Sequence, residues 1–275
     1  MILRKILLFA VVLIIASTTA TCAYAENHIG CITVLGDSIA SGYGLPDYES
    51  GNNYSAPLSW ANLIGEQSDF YENFAADGKS SNDLLNDLSH PTPQLYKAIE
   101  RADTIIISVG GNDFLNRMKS AAFSALISDN EMLSAIANKT ISPETIAKYS
   151  ERILQSAVKS VSDTDISAAL SNIEQITSII IGAKPDAEII LLTIYNPFSG
   201  NILLSGLSDA ADTALRAFNN GLSEIAAHSE QIRIADVYSI FSDNAAEFTN
   251  ILKLDIHPST DGHYEIYQLL YAMLE

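Results

Sequence analysis

Five residues of this chain have the types and spacing that acyl-transfer chemistry needs. Ser38 lies in VLGDSIASGYG (34–44), where an apolar run ends and Gly36, Asp37 and Ser38 arrive together. A serine hydroxyl is a weak nucleophile and needs a base within hydrogen-bond reach. Histidine is the usual base because its pKa lies near neutrality, and His257 in LDIHPSTDGH (254–263) can reach the serine if the last loop folds over a sheet edge. The tetrahedral oxyanion needs preorganised donors. The backbone N–H of Ser38, at a strand-to-helix turn, sits at the positive end of a helix. Gly78 in NFAADGKSS (73–81) lets its N–H approach a ligand with no side chain in the way, and Asn112 in GGNDF (110–114) can donate through its amide. An acid beside His257 would hold its tautomer, and Asp255 and Asp261 flank it.

Positioning these residues requires a sheet. CITVL (31–35), TIIISVG (104–110), EIILLTI (188–194) and IRIADV (232–237) read as strands, with DFYENFA (69–75) a weaker candidate. The second and third of these are β-rich and apolar on both faces, as expected of central parallel strands covered on two sides. Between the strands, Ile166, Ala169, Leu170, Ile173, Ile176 and Ile180 follow helical spacing. So do Ala211, Leu215, Phe218, Leu222 and Ile225, and later Tyr267, Leu270, Tyr271 and Leu274. Alternating strands and helices predict an α/β fold, a three-layer α/β/α sandwich around a flavodoxin-like, mostly parallel sheet. In such sheets ligands sit beyond the carboxyl ends of the strands, where the five residues are delivered. About 70 residues separate Phe114 from Lys184, far more than one crossover helix needs. The patterns suggest a helical insertion of two or three helices, with SPETIAKY (142–149) resembling a helix start. The insertion is either extra packing at one edge or a cap over the site. YNPF (195–198) reads first as the turn after a strand, with the lining of an acyl pocket as the alternative.

GDSIASGYG, NFAADGKSS, GGNDF and DIHPSTDGHY resemble, in order, the sequence blocks of the SGNH/GDSL hydrolases, across residues 34 to 271. The resemblance implies the SGNH hydrolase fold, with Ser38 as nucleophile, His257 as catalytic base, and Ser38, Gly78 and Asn112 as the oxyanion hole. It implies a serine esterase or lipase that hydrolyses carboxylic acyl esters through an acyl-enzyme, with no metal or organic cofactor. One departure stands out. The family's last block carries its acid three residues before the histidine, where this chain has Leu254, and Asp255 is only two before. Asp255 is the favoured partner of His257, with Asp261 or a backbone carbonyl as alternatives. The insertion favours a small-molecule or lipid-like acyl ester. A carbohydrate O-acetyl esterase, or a catalytically silent binding protein on the same fold, are the competing functions.

Each residue also has a plainer reading. Ser38 suits a helix N-cap, Gly78 and Asn112-Asp113 suit turns, His257 suits a surface loop and His263 a helix start. Asp37 reads as a brace for the turn. Asp255, His257, Asp261 and His263 fit no common zinc spacing. The glycines near Ser38 lack the order of a nucleotide-binding loop.

Bulk composition narrows the class further. Of 275 residues, Met1–Lys5 carries Arg4 and Lys5, Ile6–Ala16 is an apolar run, and Ala23-Tyr24-Ala25 has a small-x-small pattern. Residues 1–25 therefore read as a secretory signal peptide, leaving 26–275 as a single hydrolase domain outside the cytoplasm. The formal charge is −18, and about −20 once Arg4 and Lys5 are removed. That balance argues against nucleic acid and anionic membrane surfaces, which depend on Lys and Arg contacts. No later segment reads as apolar enough to cross a membrane, so no stable membrane insertion is expected after signal removal. Of two cysteines, Cys22 leaves with the signal, and Cys31 reads as a small buried core residue.

Overall fold

Five strands, all parallel, pair edge to edge. They are β1 (Cys31–Gly36), β2 (Phe70–Asn73), β3 (Thr104–Ser108), β4 (Glu188–Leu192) and β5 (Ile232–Ala235), in the spatial order β2-β1-β3-β4-β5. The computed structural model describes residues 29–46, 48–49, 56–128, 156–200, 205–242, 244–253 and 255–275, without side chains at 119, 122–128 and 205–207. The expected signal peptide, the SPETIAKY helix start and Leu254 lie outside the described residues. The order is that of flavodoxin-like sheets, whose ligand crevice opens where β1 and β3 send the chain in different directions.

Strand alternation splits the core in two. Ile105, Ile107, Ile189 and Leu191 enter one buried cluster, and Ile32, Val34, Ile106 and Ile190 the other. The first cluster is closed by α3 (Ser81–Ser89), α4 (Pro93–Arg101), α6 (Asp163–Ala183) and α7 (Ser205–Ala227), and α5 (Gly111–Ser128) adds Phe114. The second is closed by α2 (Trp60–Glu66), through fully buried Trp60 and Ile64, and by α10 (Thr260–Leu274), through Ile266 and Leu270. Helix starts are written locally. Ser80 with Asp83, and Ser162 with Asp165, form capping boxes, and Thr92 caps α4 ahead of Pro93.

Several expectations need correction. The apolar runs overstate the strands: β3 stops at Ser108 and β4 at Leu192. Val237 belongs not to β5 but to α8 (Val237–Phe241). Chain leaving the sheet toward the site stays buried, so apolar character outlasts strand pairing. On α10 the expected helical spacing is present, with Leu270 buried beside Gly262, His263 and Ile266, and Tyr267, Tyr271 and Leu274 half-buried against the second cluster. Cys31 is half-buried rather than core, its N–H donating to Asp103 at 2.8 Å. Finally, α6 is long and apolar enough by composition to cross a membrane. Here its Ile166, Ile173, Ile176 and Ile180 stripe is buried in the first core cluster.

Register carries this architecture to the site. Gly36 pairs with Ser108, and Val34 with Asn73, so β1, β2 and β3 end at one edge. Asp37 N–H continues the ladder by one bond to the Ser108 carbonyl at 3.1 Å.

Candidate active site

At the end of β1 the chain turns at once into α1 (Ser38–Ser41). Asp37, not Ser38, is the N-cap, its carboxylate accepting from Ile39 N–H at 3.0 Å. Ser38 is therefore freed from capping. Gly36 permits the turn, since a Cβ there would sit 2.5 Å from Ala40 Cβ. The Ser38 Oγ lies 3.0 Å from His257 Nε2, and His257 Nδ1 lies 2.5 Å from Asp255 Oδ1. The same carboxylate oxygen accepts the His257 backbone N–H at 3.1 Å. That local turn lets an acid two residues before the histidine reach the ring. Asp261 is exposed in the first turn of α10. The loop bearing His257 is pinned. Asn250 N–H donates to the His257 carbonyl at 2.9 Å, and buried Tyr195 donates to the Ile256 carbonyl at 2.7 Å.

Gly78 and Asn112 come to the same edge from β2 and β3. Gly78 has φ +76°, and a Cβ there would meet nothing within 4 Å. Glycine is favoured there by its left-handed backbone rather than by lack of room. Asn112 is buried in the first turn of α5, and its Nδ2 donates to the Lys79 carbonyl at 3.2 Å and Asp37 Oδ2 at 3.3 Å. It thus ties the exit of β1 to the loop after Gly78. Burial pushes the Asp37 carboxyl up to about 7 against the pull of Ile39 N–H, with the Asp113 and Asp77 charges adding to the rise.

An apolar cavity of about 130 Å³ opens beside Ser38, Asn112 and His257. Phe114, Leu115 and Met118 of α5 form one wall, Val158 and Val161 another, and Ala211, Ala214 and Leu215 of α7 a third. Two short stretches of the insertion, at 114–118 and 158–161, therefore line the site, and so does YNPF: Tyr195, Pro197 and Phe198 face the cavity while residues 197–200 form a turn.

The sequence model of the GDSL-like lipase/acylhydrolase family matches residues 34–264. The chain belongs to this family. Among solved structures it is similar to the lipase Lip_vut3 from a goat rumen metagenome, with 22% identity over 89% of this chain and 99% of that one and a TM-score of 0.59. It is also similar to an extracellular lipase from Streptomyces rimosus (19%, 88% and 98%, TM-score 0.60). A third likeness is to a catalytic mutant of Axe2, an acetylxylan esterase from Geobacillus stearothermophilus (15%, 88% and 93%, TM-score 0.52). No curated protein sequence matches. At these identities the likenesses establish the α/β sandwich, which the two lipases and the acetylxylan esterase share.

Three supports of this GDSL-like acylhydrolase escape motif reading. Asp113 turns away from the cleft, accepting from Ser81 N–H at 2.8 Å and Ser81 Oγ at 2.7 Å, while Asn172 of α6 donates to Ser81 Oγ at 2.9 Å. This bridge ties the start of α3 to the start of α5. Asp77, next to Gly78, accepts from Ser41 at 2.8 Å and from the Tyr48 hydroxyl. His263 is fully buried, its Nδ1 accepting from Trp60 N–H at 3.3 Å. Burial, then the neighbouring His257, lowers its pKa to about 3. No local pattern in the sequence marks these partners, which meet across 29 to 203 residues.

Proposed function

We propose that this chain is a secreted serine esterase acting on carboxylic esters with an apolar acyl chain. The observation that carries the reading is the continuous line from Ser38 Oγ through His257 to Asp255, at 3.0 and 2.5 Å. His257 Nε2 takes the serine proton as Oγ bonds to the ester carbonyl carbon, and Asp255 stabilises the imidazolium through Nδ1. The carbonyl oxygen becomes an oxyanion, held by the N–H groups of Ser38 and Gly78 and by the Asn112 amide, which turns one hydrogen from its protein acceptor to the substrate. Collapse breaks the ester C–O bond, and His257 returns the proton to the departing alcohol. Water then attacks the acyl-enzyme, with His257 again as base, releasing the acid and restoring Ser38.

The apolar cavity favours an acyl chain over an acetyl group, and so favours this reading over a carbohydrate O-acetyl esterase. Residues 1–25 serve in this proposal as the signal for export, with 26–275 as the mature domain. The test is hydrolysis of p-nitrophenyl acetate, butyrate, octanoate and palmitate, and of acetylated xylan, by the mature chain and by Ser38→Ala. Loss of activity in Ser38→Ala with octanoate above acetate supports the proposal. Preference for acetylated xylan would replace it with the deacetylase reading. No hydrolysis of any of them by folded protein would favour a silent binding protein.

A further inference from the structure

Tyr43 belongs to none of the steps above, yet its ring lies against the base. The centroids of Tyr43 and His257 are 4.6 Å apart at an interplanar angle of 42°. Tyr43 remains 42% exposed, so it packs on His257 from the solvent side rather than from the core. An exposed aromatic ring needs something to hold it there. Its backbone N–H donates to the Ser38 carbonyl at 2.9 Å, which fixes the residue to the nucleophile's own helix. Gly42 and Gly44 on either side have φ of +79° and +84°, conformations that favour glycine. Tyr48 packs on the Tyr43 ring at 5.3 Å, and its hydroxyl is anchored on Asp77.

Gly44 lies close to the same machinery. A Cβ at that position would lie 3.1 Å from Asp255 Oδ2, the carboxylate oxygen not engaged by the His257 ring. One short turn therefore closes on both the acid and the base. That matters in this chain because only Ile256 separates Asp255 from His257, so their geometry depends on what surrounds the loop.

We propose that Tyr43 is a positioning residue for His257. Its ring holds the imidazole plane so that Nε2 faces Ser38 Oγ, and its π-face favours the imidazolium formed when the serine proton is taken, a cation lying within 6 Å of the ring. The proposal rests on the reading of His257 as the base. Its effect belongs to kcat, because the charge develops only during the reaction.

The test compares Tyr43→Phe and Tyr43→Leu with wild type. It measures kcat and KM on p-nitrophenyl butyrate, the rate at which a fluorophosphonate labels Ser38, and thermal unfolding. Phe keeps the ring, and Leu keeps apolar bulk without a π-face. The expected result is a fall of about tenfold in kcat and in labelling rate for Leu, with KM within about twofold and Phe close to wild type. A raised KM at unchanged kcat would overturn the proposal by placing Tyr43 on the leaving alcohol. A loss in Phe equal to that in Leu would overturn it by assigning the effect to the hydroxyl. Hydrolysis that survives in Ser38→Ala would overturn the site reading and the proposal together. Hydrolysis that needs Ser38 but ignores Tyr43→Leu would overturn the proposal alone.

Discussion

Asp255 shows how much a single inserted or missing residue changes at the site. With one residue between acid and base, its Oδ1 serves both His257 Nδ1 and the His257 backbone N–H. The acid thus braces the loop as well as the ring. Both bonds depend on this carboxylate, whereas Asp261 takes part in neither. Asp255→Asn should lower kcat by about 10²- to 10⁴-fold, because an amide holds the wrong tautomer. Asp261→Asn should leave kcat unchanged, and steady-state kinetics on one ester separates the two. Equal losses would return Asp261 to the site. Ser38, Gly78, Asn112 and His257 were legible in sequence because each sits in a block whose glycines and polar residues mark a strand exit. The acid was only half legible: the sequence shows two aspartates near His257, and choosing between them needs the turn that folds Asp255 back on its neighbour. Tyr43 was not legible at all, since an aromatic in a glycine-flanked turn looks like any surface residue.

At the scale of elements, α7 and the bridge between α3 and α5 govern different properties. The cavity wall on α7 uses the small side chains of Ala211 and Ala214. Filling that space excludes methylenes of the acyl chain, each worth about 10- to 200-fold in discrimination within an apolar pocket. Ala211→Leu should therefore cut the octanoate-to-acetate ratio of kcat/KM by about tenfold or more while acetate hydrolysis persists. An unchanged ratio would mean that the acyl chain does not enter this cavity. The Ser81 hydroxyl donates to Asp113 and accepts from Asn172, linking three helices. Ser81→Ala leaves a half-buried carboxylate and a half-buried amide short of a partner, at a cost of about 1–3 kcal/mol, readable as a lower urea midpoint. Strand positions were readable because parallel strands buried on two faces are continuous apolar runs. Their ends were not, because Val109, Thr193 and Tyr195 stay buried beyond the strand ends. The same ambiguity gave YNPF two readings that turn out to be compatible.

Over the whole molecule, the order of strands and helices was enough to reach the sandwich, but not two of the titratable groups that it buries, His263 and Asp37. His263 and Asp37 pull stability in opposite directions. His263 has its pKa lowered from 6.5 to about 3 in the folded protein, chiefly by burial. Between those values the unfolded chain binds the proton and the folded chain does not, so this stability is present above pH 6.5 and is lost as pH falls toward 3. Asp37 has its pKa raised from 3.8 to about 7, again chiefly by burial. There the folded chain keeps a proton that the unfolded chain releases, so this contribution is present below pH 3.8 and is lost as pH rises through 7. Each effect is on the order of a few kcal/mol across its window. Asn at 263 keeps an acceptor for Trp60 N–H but cannot titrate, and Asn at 37 keeps an acceptor for Ile39 N–H without a charge to bury. His263→Asn should flatten the fall in Tm between about pH 6.5 and 4, whatever its effect at neutral pH. Asp37→Asn should gain on wild type steadily from about pH 4 to pH 7 and level off above it. Variant curves that run parallel to wild type would show that neither group's proton is linked to folding. Slopes of the opposite sign would mean that each site favours the charged form of its group.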